Sequence, residues 1–140
     1  MAVAGDDCIF CAIVAGELDA EIVFEDEATV AFLDVRPLFP GHVLLVPREH
    51  LETIEDLPDE QVERFFLNGR RLATAVREAM GADGTFMAMN NVVSQSVPHL
   101  HLHVVPRVRK DGLRGFFWPR HKYGEGEMAA AAERVRAALG

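Results

Sequence analysis

The chain has 140 residues, of which 49% are hydrophobic and 26% charged, with a formal charge of −8. That length suits one domain with a buried core. No run approaches the roughly 18–20 apolar residues of a membrane span, and the acid excess argues against a general nucleic-acid binder, which needs basic surface.

The opening MAVAGDD lacks the basic-then-apolar order of a signal peptide, so a cytoplasmic location is expected. The two cysteines, Cys8 and Cys11, are spaced C-x-x-C. A reducing compartment disfavours a disulfide, and the spacing points to metal or redox chemistry instead. Residues 8–16 (CIFCAIVAG) are apolar on nearly every side and predict a short buried helix or turn. Glu21–Glu25 and Thr29–Asp34, rich in β-branched and aromatic residues, predict a hairpin around Asp26-Glu27-Ala28. Pro37 and Pro40-Gly41 mark a loop, and His42–Pro47 (HVLLVP) a third strand.

Asp59–Met80 carries Val62, Phe65, Phe66, Leu72, Ala73 and Val76 at helical spacing and predicts a long helix stopped by Gly81. Thr85–Asn90 is a fourth strand, residues 99–105 (HLHLHVV) a fifth between Pro98 and Pro106, and Glu127–Leu139 an alanine-rich helix. The expected class is α+β: about five antiparallel strands with one long helix on one face. Arg107, Arg109, Lys110, Arg114, Arg120 and Lys122 face a single acid, Asp111, so a basic stretch follows the fifth strand. It reads as a solvated loop or as local attraction for a small polyanion, and its position favours the second.

Strand alternation puts His99, His101 and His103 on one face, with Leu100, Leu102 and Val104 on the other. One metal held by all three is disfavoured. A strand rises about 3.3 Å per residue, so His99 and His103 start about 13 Å apart, whereas zinc–nitrogen bonds are only about 2.0–2.1 Å. The alternative is a central nucleophile, His101, with helpers on either side. A neutral imidazole attacks phosphorus when an acceptor holds its other nitrogen. His103, Gln95 and Ser96 are suited to phosphoryl oxygens, and Gln95 and Ser96 to assisting the leaving group.

H-L-H-L-H-V-V resembles the H-φ-H-φ-H-φ-φ signature of the histidine triad (HIT) superfamily. CIFCAIVAGE, VAFLDVRPLFPGHVLLVPREH and QSVPHLHLHVVPR resemble the same family in the same order, across most of residues 8–107. The resemblance implies a five-stranded HIT fold that dimerises into a ten-stranded sheet, with the whole chain, 1–140, as one domain. Residues 1–7 would be a tail, 107–126 a basic and aromatic loop, and 127–139 the last helix. It implies purine nucleotide ligands and chemistry at the α-phosphate through a nucleotidyl-histidine intermediate. By position, His101 is then the nucleophile, His103, Gln95 and Ser96 contact the phosphate, and Asp34 binds the ribose hydroxyls. Ile9, Phe10, Phe32 and Val35 line the base pocket, and His42 and Asn90 flank the phosphate.

The resemblance also implies a structural zinc ion on Cys8, Cys11, His50 and His99, with no ligand position left for water. His99 would then anchor the strand rather than act as an acid or base.

Two features depart from the family. Asn90-Asn91-Val92-Val93-Ser94 is about two residues short and lacks glycine, and the segment 115–123 has no counterpart. That segment, aromatic and basic, is expected to fold over the site and touch the leaving group. The expected activity is a nucleotide hydrolase or nucleotidyl transferase acting on a phosphoramidate or dinucleoside polyphosphate. A dinucleoside polyphosphate phosphorylase and a non-catalytic nucleotide-binding module are the alternatives. No nucleic-acid or membrane partner is expected.

Overall fold

The computed structural model describes residues 7–113 and 120–140. The first element, α1 (Ile9–Val14), is capped by Cys8, whose Sγ accepts the Cys11 N–H at 3.3 Å. It buries Phe10 and Ile13, one helical turn apart, and ends where Gly16 takes φ +79°. The hairpin β1 (Ile22–Glu25) and β2 (Thr29–Leu33) is closed by Asp26. Its Oδ1 accepts the N–H groups of Ala28 and Thr29 and the Thr29 hydroxyl at 2.7–2.9 Å. Burial alone would raise the Asp26 carboxyl. Hydrogen bonds from Asn68, Ala28 and Thr29 outweigh it and hold the group at about 2.

After β3 (Val43–Pro47) and a short 3-10 turn at Ile54–Asp56, α2 (Asp59–Ala79) packs on one face of the sheet. Phe65, Asn68, Gly69, Leu72 and Val76 form its buried stripe. Gly69 permits a close approach of helix and sheet, since a Cβ there would lie 2.8 Å from Leu102 Cδ2. The chain then forms β4 (Gly84–Ala88), β5 (Leu102–Arg107) and α3 (Glu127–Leu139), which buries none of its residues. The antiparallel sheet runs β1-β2-β3-β5-β4, as the expected α+β class requires. Among the described residues no helix is long and apolar enough to cross a membrane.

Strand alternation divides the interior in two. Ala31, Val43, Leu45, Leu100, Leu102 and Val104 meet α2. Val30, Phe32, Leu44 and Val46 face the other way and are covered by Cys8, Phe10 and Ile13. The histidines share this second face with α1.

Two expectations need correction. The fifth strand was expected over 99–105, but regular pairing begins only at Leu102. Upstream, the Leu100 N–H donates to Leu51 O rather than to a neighbouring strand, and the His99 N–H donates to Val97 O. His99 and His101 therefore sit on an extended approach to the sheet. The basic stretch, in turn, does not start beside the histidines. Arg107 pairs with Gly84 at the far end of β5, while His103 pairs with Ala88. Its guanidinium is also occupied by Asp111, with Nη2 at 2.8 Å from Oδ1. The segment expected to fold over the site falls largely at 114–119, outside the described residues.

Candidate active site

His101 is buried, and its Nδ1 lies 2.7 Å from the carbonyl oxygen of His99. A carbonyl can only accept, so Nδ1 carries the proton and donates it. The lone pair is left on Nε2, the atom free to attack. His103, on β5, is set by a longer relay. The backbone N–H of Leu38 donates to His42 Nδ1 at 3.0 Å, so the His42 proton resides on Nε2. That Nε2–H donates to His103 Nδ1 at 2.9 Å, which places the His103 proton on Nε2. Two adjacent rings, 5.0 Å apart at their centroids, thus present complementary chemistry: a lone pair from His101 and an N–H from His103.

The surroundings favour the neutral form of His103 and His42. Burial pushes His103 down to about 4, with His101 and His42 adding to the shift and Asp34 opposing it. Burial also lowers His42, against the pull of the Asp34 carboxylate 3.7 Å away. Asp34, His42 and His103 bring three ligand-type atoms within 4.8 Å of one another. The Leu38 N–H nevertheless forces a proton onto His42 Nε2, so a proton rather than an ion joins these rings.

A cavity of about 570 Å³ opens over the histidines. Of the residues expected at a site, Ile9, Phe10, Phe32, Asp34, Val35, Ser96, His101 and His103 line it. Phe10 is wedged edge-on between Phe32, at 5.3 Å, and His101, at 5.1 Å. Asp34 sits in a turn closed by the Arg36 N–H at 2.9 Å from its Oδ1. Three expected residues stand outside the wall. His42 lies behind His103. Asn90 Nδ2 donates to Ser94 O at 3.1 Å. The Gln95 amide is engaged at both ends, donating to Glu52 O at 2.6 Å and accepting the Val92 N–H at 2.9 Å. Gln95 and Asn90 therefore hold the 90–96 loop, in which Val92 and Ser94 take φ of +73° and +63° without glycine.

Leu18, Asp19, Ala20 and Arg36 line the cavity and were not anticipated. The available signal was Gly16. A left-handed residue after α1 returns the chain over the sheet, so the residues leading into β1 become wall. Arg36 could have been read from its place two residues after Asp34.

Cys8, Cys11, His50 and His99 bring their ligand atoms within 4.8 Å of one another and could hold a metal ion. Cys8 Sγ is 3.3 Å from His99 Nδ1, and Cys11 Sγ is 3.2 Å from His50 Nδ1 and 3.5 Å from His99 Nδ1. A tetrahedral zinc with standard bond lengths separates sulfur from nitrogen by about 3.6 Å, so the quartet needs little adjustment. His99 Nε2–H donates to Pro47 O at 2.9 Å, which turns the bare Nδ1 toward the sulfurs. Burial, opposed by that carbonyl and assisted by His50 and His101, lowers His99 to about 4 and keeps it in the ligating form. Burial, with the Cys8 thiol beside it, raises Cys11 to about 11, so the Cys11 thiol stays protonated until a cation displaces the proton.

The HIT domain family model matches residues 15–110. A HIT-like protein of Methanocaldococcus jannaschii is 41% identical over 107 residues, 75% of this chain and 82% of that protein. The adenosine 5′-monophosphoramidase of Schizosaccharomyces pombe is 31% identical over 91% of this chain and 95% of its own length. Among solved structures, a HIT family member from Bacillus subtilis superposes with a TM-score of 0.87 at 32% identity, covering 96% of this chain and 99% of that one. A zinc-bound histidine triad protein of Mycobacterium smegmatis superposes with a TM-score of 0.74 at 37% identity, covering 96% and 99%. The fold, the ordered histidines and these matches agree: the chain belongs to the HIT domain family.

Proposed function

We propose that the protein hydrolyses or transfers the nucleotidyl group of a purine nucleotide conjugate through a covalent intermediate on His101. The observation that carries this reading is the fixed orientation of His101, whose Nδ1–H is held by the His99 carbonyl while Nε2 is left to carry the lone pair at a cavity. A residue that only bound phosphate would present a proton there. In the first step Nε2 attacks the α-phosphorus, the bond to the leaving group breaks, and the leaving group departs with its electron pair and collects a proton. In the second step water attacks the same phosphorus. The phosphorus–nitrogen bond to His101 breaks, and a nucleoside monophosphate is released with the imidazole regenerated.

His103 Nε2–H is positioned to donate to the phosphoryl oxygens in both steps. Ser96, on the same wall, can donate to the leaving group. Asp34, an acceptor, suits the ribose hydroxyls, and Ile9, Phe10, Phe32 and Val35 supply an apolar slot for the base. The activity of the fission yeast relative, a phosphoramidase, supports a phosphorus–nitrogen bond as the one cleaved.

The quartet of Cys8, Cys11, His50 and His99 is assigned to zinc, whose tetrahedral preference its donor set matches. Bound there, zinc would fix the residue whose carbonyl orients His101. A thiol pair of this kind persists in a reducing compartment, which supports a cytoplasmic location. β4 is an edge strand, and Met87 on it, with Val62, Phe66 and Leu67 on α2, is exposed. These features support a homodimer with a shared sheet.

The test is a rapid-quench reaction with an adenosine phosphoramidate followed by peptide mass spectrometry. An adenylyl adduct on His101, absent from His101→Ala, is expected. Tight nucleotide binding with neither adduct nor turnover would overturn the reading in favour of a binding module.

A further inference from the structure

The cavity follows His103, Leu44 and Phe32 across the sheet and ends on Leu18, Asp19 and Ala20, just ahead of β1. His103 on β5 pairs with Leu44 on β3, Leu44 with Phe32 on β2, and Phe32 with Ile22 on β1. Three strand spacings of about 4.8 Å make this row about 14 Å long, comparable with a nucleotide from its phosphorus to the far edge of its base. The phosphate end is marked by His101 and His103. Asp34 lies beyond β2, where the ribose belongs. Asp19, three residues ahead of Ile22, lines the wall at the other extreme.

The walls between are apolar, from Phe10, Ile13, Phe32 and Leu44. Two other charged side chains line the cavity, Asp34 and Arg36. Arg36 follows Asp34 by two residues, and its backbone N–H donates to the Asp34 carboxylate. Asp19 is the remaining charge. Among the described residues it has no hydrogen bond or ion pair. A solvated acid at the mouth of an apolar slot is available to whatever edge the base presents.

We propose that Asp19 reads the Watson–Crick edge of the base and selects guanine. This rests on the nucleotide reading above and specifies its substrate class. A carboxylate is purely an acceptor. Guanine offers two neighbouring donors on that edge, N1–H and the N2 amine, which match the two carboxylate oxygens. Adenine offers one donor, the N6 amine, beside a lone pair on N1 that repels the acid. Hypoxanthine keeps N1–H and lacks the N2 amine, so it falls between them.

The test is calorimetric titration of the full chain with GMP, IMP and AMP, repeated on Asp19→Ala and Asp19→Asn. Asp19 is exposed, so neither variant disturbs the core. Wild type is expected to bind GMP about tenfold or more tightly than AMP, with IMP between, as charged hydrogen bonds at a partly solvated rim allow. Asp19→Ala should bring the three within about twofold. Asp19→Asn, whose amide donates to adenine N1 and accepts from the N6 amine, should reverse the order. Equal or tighter binding of AMP by wild type would overturn the proposal, as would a guanine preference that survives in both variants. Those outcomes leave nucleotide binding intact. Saturable binding of none of the three would overturn the nucleotide reading together with it.

Discussion

The relay from Leu38 through His42 to His103 makes a specific demand on His42→Leu. Leucine fills the buried position without a donor, so His103 Nδ1 loses the N–H that now reaches it at 2.9 Å. A neutral hydrogen bond of this kind contributes about 1 kcal/mol net, which is about a fivefold bias between the two imidazole tautomers. Without that bias His103 divides between Nε2–H, which donates into the cavity, and Nδ1–H, which does not. Outright loss of a donor to a developing oxyanion costs about 10²–10³ in kcat, and His103→Ala should fall in that range. His42→Leu takes the donor population from about five-sixths to about half and should lose about twofold in kcat. Nitrogen-15 NMR of the imidazoles reads the tautomer directly, and turnover of a chromogenic adenosine phosphoramidate reads the rate. Wild type should show Nε2–H on His42 and His103 and Nδ1–H on His101. If His103 kept its Nε2–H form in His42→Leu while kcat fell, or if its tautomers mixed with kcat unchanged, the relay would not be what sets the donor.

Gly69→Ala should destabilise the fold by about 1 kcal/mol. The helix gains about 1 kcal/mol from propensity, but the new Cβ would sit 2.8 Å from Leu102 Cδ2 in a closed core, an overpacking worth about 1–3 kcal/mol. A urea midpoint above wild type would show that Leu102 has room to move. Stability should also fall in mild acid. The folded His103, near 4, binds its proton less readily than the ordinary imidazole near 6.5 of the unfolded chain. Protonation therefore favours unfolding as pH drops below about 6.5, and the loss stops growing below about 4. This amounts to about 2 kcal/mol once partial exposure is allowed for. Urea unfolding across pH 7–4 should show a shallower decline for His103→Asn, and identical slopes would exclude His103 as the source.

Much of this arrangement was legible because its determinants are local. Alternation in Thr29–Leu33 and Val43–Pro47, and helical spacing from Phe65 to Val76, follow from which neighbours face the core. What escaped depends on contacts between distant segments. Nothing local in HLHLHVV distinguishes a strand beginning at His99 from one beginning at Leu102. The difference lies in the Leu100 N–H, which finds Leu51 O. Gln95 looks like a phosphate ligand in sequence, yet its amide reaches Glu52 O, 43 residues away. The 90–94 loop lacks glycine, the residue that most readily makes left-handed turns. Val92 and Ser94 adopt them regardless, at a cost the Gln95 and Asn90 hydrogen bonds help to offset. Asp19 belongs to the cavity only because Gly16 redirects the chain after α1.

His99 connects the two halves of the site through opposite ends of one residue. Its Nδ1 faces Cys8 and Cys11, while its carbonyl accepts the Nδ1–H of His101, the proposed nucleophile. A metal on the quartet therefore acts on His101 through the main chain, without touching the substrate. His50→Ala separates this effect from direct damage, because His50 meets the quartet through Cys11 and His99 and makes no described contact with His101. Wild type should carry about one zinc per chain by elemental analysis, and His50→Ala much less. Its Tm should fall by at least about 5 °C, since thiols and imidazoles would be left without their common partner. KM should change little, because the cavity walls stay in place, while kcat falls about tenfold as the 2.7 Å bond from His101 loosens and its tautomers mix. The nitrogen-15 spectrum of His101 should show that mixing. A zinc-free His50→Ala with wild-type kcat and an unaltered His101 tautomer would mean that the core alone positions the nucleophile, through the wholly buried Leu100 and Val104 on either side of it.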